Sequence, residues 1–249
     1  FGERLRGFSP EQVRAVATNT LRVARNAQKF VQQAQIALGF PIEVIAGVEE
    51  ARLIYIGTSH EAPAVSGNRL VIDVGGGSSE FIIGKGYEPK LLESLYIGCV
   101  SHSIRFFPNG VIDPHAFKEA ELAARREVQV IKRRFSKSGW NQVIGSSGTA
   151  RALADLIADN KLNGSHEKTT LDSFDKVGAS VITLQGLKAL RRRLLDFDHI
   201  DRVTLVNLKD DRRPVLPGGL SIMLGIFDEL GIDRMEVSDA ALRVGVLYD

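Results

Sequence analysis

Short apolar segments alternate along the chain with longer segments in which apolar residues recur every three or four positions. The short segments predict buried strands, and the longer ones predict helices with one apolar face. Gly39 and Gly231 directly follow two of these helices, as expected of residues that end a helix. Strands are predicted over residues 13–17, 42–46, 70–72, 81–83, 91–97, 140–144 and 235–237. Helices are predicted over residues 26–38, 49–56, 113–135, 149–157, 184–195, 220–230 and 240–247. This alternation predicts an α/β protein.

Three of the predicted strands follow one another with no helical pattern between them, over residues 70–97. Turn residues at 84–86 separate the second from the third, so this part predicts an antiparallel meander. Residues 159–176 are polar and poor in apolar side chains, and they predict a mobile surface loop.

The bulk composition is that of an ordinary globular protein, with 249 residues, 44% of them hydrophobic and 25% charged. A net charge of +2 gives no case for binding nucleic acid or an anionic membrane. No apolar run is long enough to span a bilayer. The single cysteine, Cys99, fits a reducing, cytoplasmic location, and its sequence context suits a small buried side chain better than a nucleophile. The chain starts at Phe1 and stops just after an apolar segment, which predicts a fragment of a longer protein.

The candidate chemistry lies in the segment from Asp73 to Glu80, which reads Asp-Val-Gly-Gly-Gly-Ser-Ser-Glu between two apolar strands. Three successive glycines can take positive φ and leave backbone N–H groups open to an anion. Asp73, at the end of its strand, can face the same space and hold Mg²⁺ directly or through water. A dinucleotide-binding loop or a Walker loop would be followed by a helix, and here a strand follows. A plain hairpin remains the alternative.

A second glycine turn lies at residues 145–149, where a predicted strand runs into a predicted helix. The free N–H groups of a helix N-terminus can bind an anion, so Ser147 and Gly148 are candidate phosphate-binding residues. An ordinary strand-to-helix turn is an equally good interpretation of this segment alone.

These motifs together resemble those of the exopolyphosphatase and guanosine pentaphosphate phosphohydrolase (Ppx/GppA) family. The resemblance extends over essentially the whole chain in order, through the segments 17–22, 47–53, 73–80, 97–101, 145–149, 217–220 and 238–248. It implies an actin-like, ribonuclease H-like fold, with residues 1–54 as the remainder of a first domain and residues 55–249 as the second. It also implies Mg²⁺-dependent hydrolysis of the terminal phosphate of inorganic polyphosphate, or alternatively of guanosine pentaphosphate. A bacterial homodimer is the expected context.

The resemblance also implies roles for individual residues. Glu50 matches the family's general base, and Arg22 matches the arginine that reaches the phosphate. Asp73 and Glu80 match the residues near the metal. The residues that match or are predicted to form the phosphate-binding turn are Gly75, Gly76, Gly77 and Ser78.

Less specific readings remain open for several of these residues. Glu50, with its neighbour Glu49, could be an ordinary first-turn acid, and Arg22 a solvated residue at a helix start. The basic runs 132–134 and 191–193 predict solvated helix faces, with guidance of a polyanion as the alternative. A kinase, or a non-hydrolytic nucleotide-binding scaffold of the same fold, would retain the glycine turns.

Two departures from the family pattern affect the expected activity. The Asp-x-Gly-Ser-Asn-Ser type loop of the first domain does not occur before Asp73, and Val244 stands where the family's final helix has glutamate. We therefore expect the chain by itself to be inactive.

Overall fold

The computed structural model describes residues 1–163 and 180–249. The part of the predicted loop 159–176 that follows residue 163 lies outside the described residues. The strands are β1 (Ala15–Ala17), β2 (Ile42–Val44), β3 (Arg69–Val74), β4 (Ser79–Lys85), β5 (Glu88–Leu95), β6 (Gln142–Gly145), β7 (Val181–Thr183) and β8 (Arg234–Val237). The helices are α1 (Asn19–Val23), α2 (Ala27–Leu38), α3 (Gly47–Glu61), α4 (Cys99–Phe106), α5 (Pro114–Gln129), α6 (Gly148–Asp159), α7 (Leu184–Leu194), α8 (Leu216–Leu230) and α9 (Leu242–Tyr248).

Six strands form the main sheet, in the order β5-β4-β3-β6-β8-β7. Strands β3, β4 and β5 make the predicted antiparallel meander. β6 lies parallel to β3, β8 lies parallel to β6, and β7 closes the edge in the antiparallel sense. The ribonuclease H-like, actin-like fold has this strand order, in which an antiparallel meander is extended by parallel strands beside its first strand. The predicted α/β fold class is therefore confirmed.

The central strand β3 is buried on both faces, and its alternating side chains separate two layers. Leu70 and Ile72 point into the larger core, which includes the buried faces of α5 and α8. Val71 points the other way and packs with Ile54 and Tyr55 of α3. Because successive strand residues face opposite sides, a run of consecutive apolar residues is required here.

Helix α3 is held to the molecule by a very close crossing with α9. A Cβ on Gly57 would lie 2.6 Å from the backbone nitrogen of Gly245, and a Cβ on Gly245 would lie 1.8 Å from the carbonyl oxygen of Leu53. Only glycine permits this backbone-to-backbone approach, so α3 has a fixed position relative to the C-terminal helix.

The first 46 residues form a thin unit beside this body. β1 and β2 pair in parallel as a separate two-stranded sheet, and Ile45 is the only fully buried residue of the segment. The predicted domain boundary after residue 54 falls within the continuous helix α3. The division into residues 1–54 and 55–249 remains a prediction.

Several predicted elements differ from those observed. Helix α4 was not predicted, because its first N–H groups are satisfied by carbonyls of the distant glycine turn. The predicted helix 113–135 is regular only to Gln129 and continues as tighter turns, in which Ile131 donates to Val128 and Lys132 to Gln129. Helix α8 begins four residues before the predicted start, since proline is tolerated in a first turn. No helix in the described part of the chain is long and apolar enough to cross a membrane.

Candidate active site

The glycine turn joins β3 to β4 and also supports α4. The N–H of Gly75 donates to the carbonyl of Ser78 at 2.9 Å and closes the turn. The carbonyls of Gly75 and Gly76 accept from the N–H groups of Cys99 and Val100, at 2.8 and 2.9 Å. The N–H groups of Gly76 and Gly77 make no hydrogen bond to residues 1–163 or 180–249. Both N–H groups therefore lack a partner among the described residues, and the carbonyls of Gly75 and Gly76 are directed toward α4.

None of Gly75, Gly76 and Gly77 uses the positive φ that glycine permits. Close approach is what requires glycine. A Cβ on Gly77 would lie 2.0 Å from Nδ2 of Asn19, and a Cβ on Gly98 would lie 2.3 Å from the backbone of Gly76. The turn is packed between α1 and the start of α4, and a side chain at position 77 would displace the Asn19 carboxamide.

Two carboxylates bracket the turn, of which Glu80 is buried and Asp73 is half-buried. Asp73 and Glu80 are directly opposite each other in the β3–β4 ladder, so their side chains leave the same face of the sheet. Asp73 Oδ2 accepts from the Ser146 hydroxyl at 2.8 Å, and Glu80 Oε1 accepts from the Ser94 hydroxyl at 2.8 Å.

The surroundings of both carboxyl groups disfavour the charged form and so raise the pKa of each. Burial raises the pKa of Glu80 to about 8, and the nearby charges of Glu50 and Asp73 act in the same direction. Burial likewise raises the pKa of Asp73 to about 6, with a further contribution from Glu50. Desolvation and like charge both oppose ionisation, so a cation placed among these groups would be stabilised.

Glu50 is paired with Arg22 beside the turn. Arg22 Nη1 donates to Glu50 Oε2 at 2.8 Å and to the Ile45 carbonyl at 3.0 Å, and Nη2 lies 3.5 Å from the Ser78 hydroxyl. The two side chains are 14% and 11% exposed. The structure thus brings Arg22, Glu50 and Ser78 together, as expected of residues in one site.

The second glycine turn forms the N-terminus of α6. The Ser147 hydroxyl accepts from the N–H of Ala150 at 3.0 Å and caps this helix. The two turns face each other across a cleft of about 400 Å³, whose lining includes Asp73, Gly75, Ser147, Gly148 and Arg212.

Arg212 is a cleft residue that the sequence did not indicate. Its guanidinium lies against α6, so that a Cβ on Gly148 would be 2.9 Å from Nη2. Arg212 belongs to a mixed charged segment, residues 209–213, which has the pattern of a solvated loop. Ser94 and Ser146 were also missed, because their partners lie far away in sequence and no local pattern marks them.

The donor set fits a magnesium ion, although it is not a closed metal cage. No group of three or more His, Cys, Asp or Glu side chains is arranged as a metal site among the residues that the structure describes. Mg²⁺ commonly uses one or two carboxylates and completes its shell with water and substrate phosphates. Asp73 and Glu80 supply such a pair, with pKa values that a cation would lower.

The remaining candidate groups have ordinary surroundings. Cys99 is buried, as predicted. Members of the two basic runs pair with acidic side chains, as in the contacts of Lys132 with Glu229 and of Arg191 with Glu121. These contacts favour structural roles for both runs.

The strand order and the two facing turns place the chain in the actin-like class of α/β proteins, in which a cleft is lined by turns of this kind. The profile of the Ppx/GppA phosphatase family matches residues 1–249, and the chain belongs to this family.

Relatives and solved structures support this assignment. The chain is 40% identical over 248 residues to a Haemophilus influenzae protein named "Putative exopolyphosphatase", covering 100% of this chain and 72% of the relative. It is 38% identical over 249 residues to a guanosine-5'-triphosphate,3'-diphosphate pyrophosphatase of Vibrio cholerae, covering 100% of this chain but only 47% of that protein. A crystal structure of the Aquifex aeolicus family member is similar with a TM-score of 0.74 and 28% identity, over 94% of this chain and 72% of that one.

Proposed function

We propose that the chain provides the catalytic cleft of a Mg²⁺-dependent hydrolase that releases the terminal phosphate of inorganic polyphosphate. The observation that carries this proposal is the placement of Arg22, Glu50 and Ser78 beside a turn in which two backbone N–H groups pair with none of the described residues. The relative named as an exopolyphosphatase covers the whole of this chain and supports the choice of substrate.

The terminal phosphate would be bound by the N–H groups of Gly76 and Gly77 and by the Ser78 hydroxyl. Backbone donors held in a fixed turn need no reorganisation when charge develops on the phosphoryl oxygens. Arg22 adds a planar cation, which has N–H groups beyond those that donate to Glu50, Ile45 and Ser78. Across the cleft, the N-terminus of α6 at Ser147 and Gly148 would hold the inner phosphates of the polyphosphate, together with Arg212.

Asp73 and Glu80 would hold Mg²⁺, which supplies positive charge to phosphate oxygens in a phosphoryl-transfer site. Ser146 and Ser94 each donate a hydrogen bond to one of these carboxylates and so fix its orientation. Fixed carboxylates hold a cation in a defined position relative to the glycine turn.

Glu50 would accept a proton from the attacking water. A carboxylate can act as a general base when it stands within hydrogen-bond reach of that water. The bond from Arg22 holds its Oε2 in place, while Oε1 makes no hydrogen bond to the described residues and is left for the water. The water oxygen would bond to the terminal phosphorus, and the bond from that phosphorus to the bridging oxygen would break, so that the shortened polyphosphate leaves. The proton would remain on Glu50 until solvent removes it.

Replacement of the proposed base provides the test. Glu50→Gln keeps the shape and removes the proton acceptor, so turnover of Mg²⁺–polyphosphate should fall by about a hundredfold or more while tripolyphosphate binding persists. Glu49→Gln is the matched control, since Glu49 is the adjacent residue on α3 and pairs with Arg52. The measurement is phosphate release in the longest available form of the protein. Equal turnover by Glu50→Gln and wild type would refute the role of this residue.

A guanosine pentaphosphate phosphohydrolase is the second candidate, supported by the 38% identity to the Vibrio cholerae pyrophosphatase. The same turn and carboxylates would serve a terminal phosphate on either substrate. Comparison of phosphate release from polyphosphate and guanosine pentaphosphate at equal concentration distinguishes the two activities. A non-hydrolytic nucleotide-binding scaffold would bind its ligand but would release no phosphate from either substrate.

A further inference from the structure

One polar side chain beside the glycine turn has no role in the site as set out above. Asn19 is the first residue of the short helix α1, and Arg22 follows three positions later on the same helix. Residues three apart project from one face of a helix. Arg22 reaches Ser78, and Asn19 reaches Gly77, the preceding residue of the turn. Helix α1 therefore places a cation and a carboxamide on two successive residues of the turn.

The contact between Asn19 and Gly77 is close. A Cβ on Gly77 would lie 2.0 Å from Nδ2 of Asn19 and 3.2 Å from its Cγ. The carboxamide thus occupies the space that a side chain at position 77 would fill, and a larger residue there would displace it. The amide consequently lies next to one of the two unpaired backbone donors.

The hydrogen bonding of this carboxamide is incomplete. Oδ1 of Asn19 is buried, and it has no hydrogen-bond partner within residues 1–163 and 180–249. A buried carbonyl oxygen without a donor destabilises the fold, so such groups usually have a partner. The cost is offset when a ligand supplies the donor.

We propose that Asn19 is a further phosphate-site residue, which contacts the bound terminal phosphate and its water through its carboxamide. An amide offers two N–H donors and an accepting oxygen on one planar group. The nitrogen end suits a phosphoryl oxygen, and the oxygen end suits a hydrogen of a water held beside it. This inference rests on the proposed function, since it assigns a further residue to the same site.

Two substitutions test the proposal through binding and stability together. Asn19→Leu keeps the approximate volume and removes the unpaired oxygen, and Asn19→Ala serves if the leucine does not fit against Gly77. Calorimetric titration with Mg²⁺–tripolyphosphate should show affinity reduced by about tenfold or more, as expected for loss of a hydrogen bond to a charged group. The melting temperature without ligand should stay the same or rise, because a buried unpaired polar atom has been removed.

Thr20→Ala is the matched control, since Thr20 is the neighbouring residue of α1 and is exposed. It should leave both the affinity and the melting temperature unchanged. Unaltered tripolyphosphate affinity in both Asn19 variants would overturn the proposal, and a lowered melting temperature with unaltered affinity would assign Asn19 a packing role instead. Failure of the wild-type chain to bind tripolyphosphate would refute the proposed function itself and this inference with it.

Discussion

Replacement of Glu80 by glutamine should stabilise the metal-free protein at alkaline pH. Glu80 is 1% exposed, and its pKa rises from an ordinary value of 4.5 to about 8. At roughly 1.4 kcal/mol per pKa unit, ionising this buried carboxylate costs on the order of 5 kcal/mol of folding free energy. Glutamine has the same shape, carries no charge and can still accept from Ser94.

The sign of the pH dependence follows from proton binding. Between pH 4.5 and about 8, the unfolded state has lost the Glu80 proton while the folded state retains it. The folded state then binds more protons, so the free energy of unfolding falls as the pH rises through this window. The pKa of Asp73 is raised to about 6, so this residue also makes the free energy of unfolding fall as the pH rises, at lower pH than Glu80 does.

The assay is urea denaturation followed by circular dichroism at pH 5 to 9 in the presence of a chelator. We expect Glu80→Gln and wild type to differ little at pH 5, and the variant to be several kcal/mol more stable at pH 8.5. Glu88→Gln, at an exposed residue of β5, is the control and should follow the wild-type curve. Added Mg²⁺ should stabilise wild type more than Glu80→Gln. Parallel pH curves for Glu80→Gln and wild type would refute the assignment of a destabilised buried carboxylate.

Two further outcomes are expected from the packing. Gly245→Ala should lower the free energy of unfolding by about 3 kcal/mol or more, because the new Cβ would lie 1.8 Å from the Leu53 carbonyl oxygen. Gly139→Ala is its control, with the nearest atom at 3.6 Å, and an equal effect of both changes on the melting temperature would contradict the account of the crossing. Burial lowers the pKa of His102, so the unfolded state binds more protons below about pH 6.5 and stability should decline as the pH falls through that value. His102→Gln should flatten this decline in urea titrations at pH 5 to 7, and an unchanged slope would show that other groups cause it.

The local parts of the site could be predicted from the sequence. Asp73 and Glu80 are seven positions apart and lie on the two strands of one hairpin. The apolar residues of both strands make that hairpin recognisable in the sequence. The fold class follows in the same way from alternating strand and helix patterns. Both predictions use only neighbouring residues, whose spacing directly reflects which side chains share a face.

The contacts made across the fold could not be predicted from spacing. Ser94, Ser146 and Arg212 reach the site from different strands and loops, and each looks like an ordinary polar or solvated residue in its own segment. The contact of Asn19 with Gly77 could not be predicted for the same reason, since Asn19 lies 58 positions earlier in the sequence. The metal, the roles of the site residues, the cytoplasmic location and the homodimer remain predictions.

The two facing glycines at which α3 crosses α9 have a consequence for how the site is divided. Helix α3 carries Glu50 in its first turn and is fixed to the body that contains the sheet. Asp73 and Glu80 belong to that sheet, so the three acids form one rigid set. Asn19 and Arg22 come instead from α1, in the thin segment where only one residue is fully buried. Arg22 donates to Glu50 Oε2, so this ion pair joins the thin segment to the body, and a displacement of the segment would break it. The thin segment would therefore act on both the proposed phosphate contacts and the proposed base, and Asp73 and Glu80 would keep their spacing.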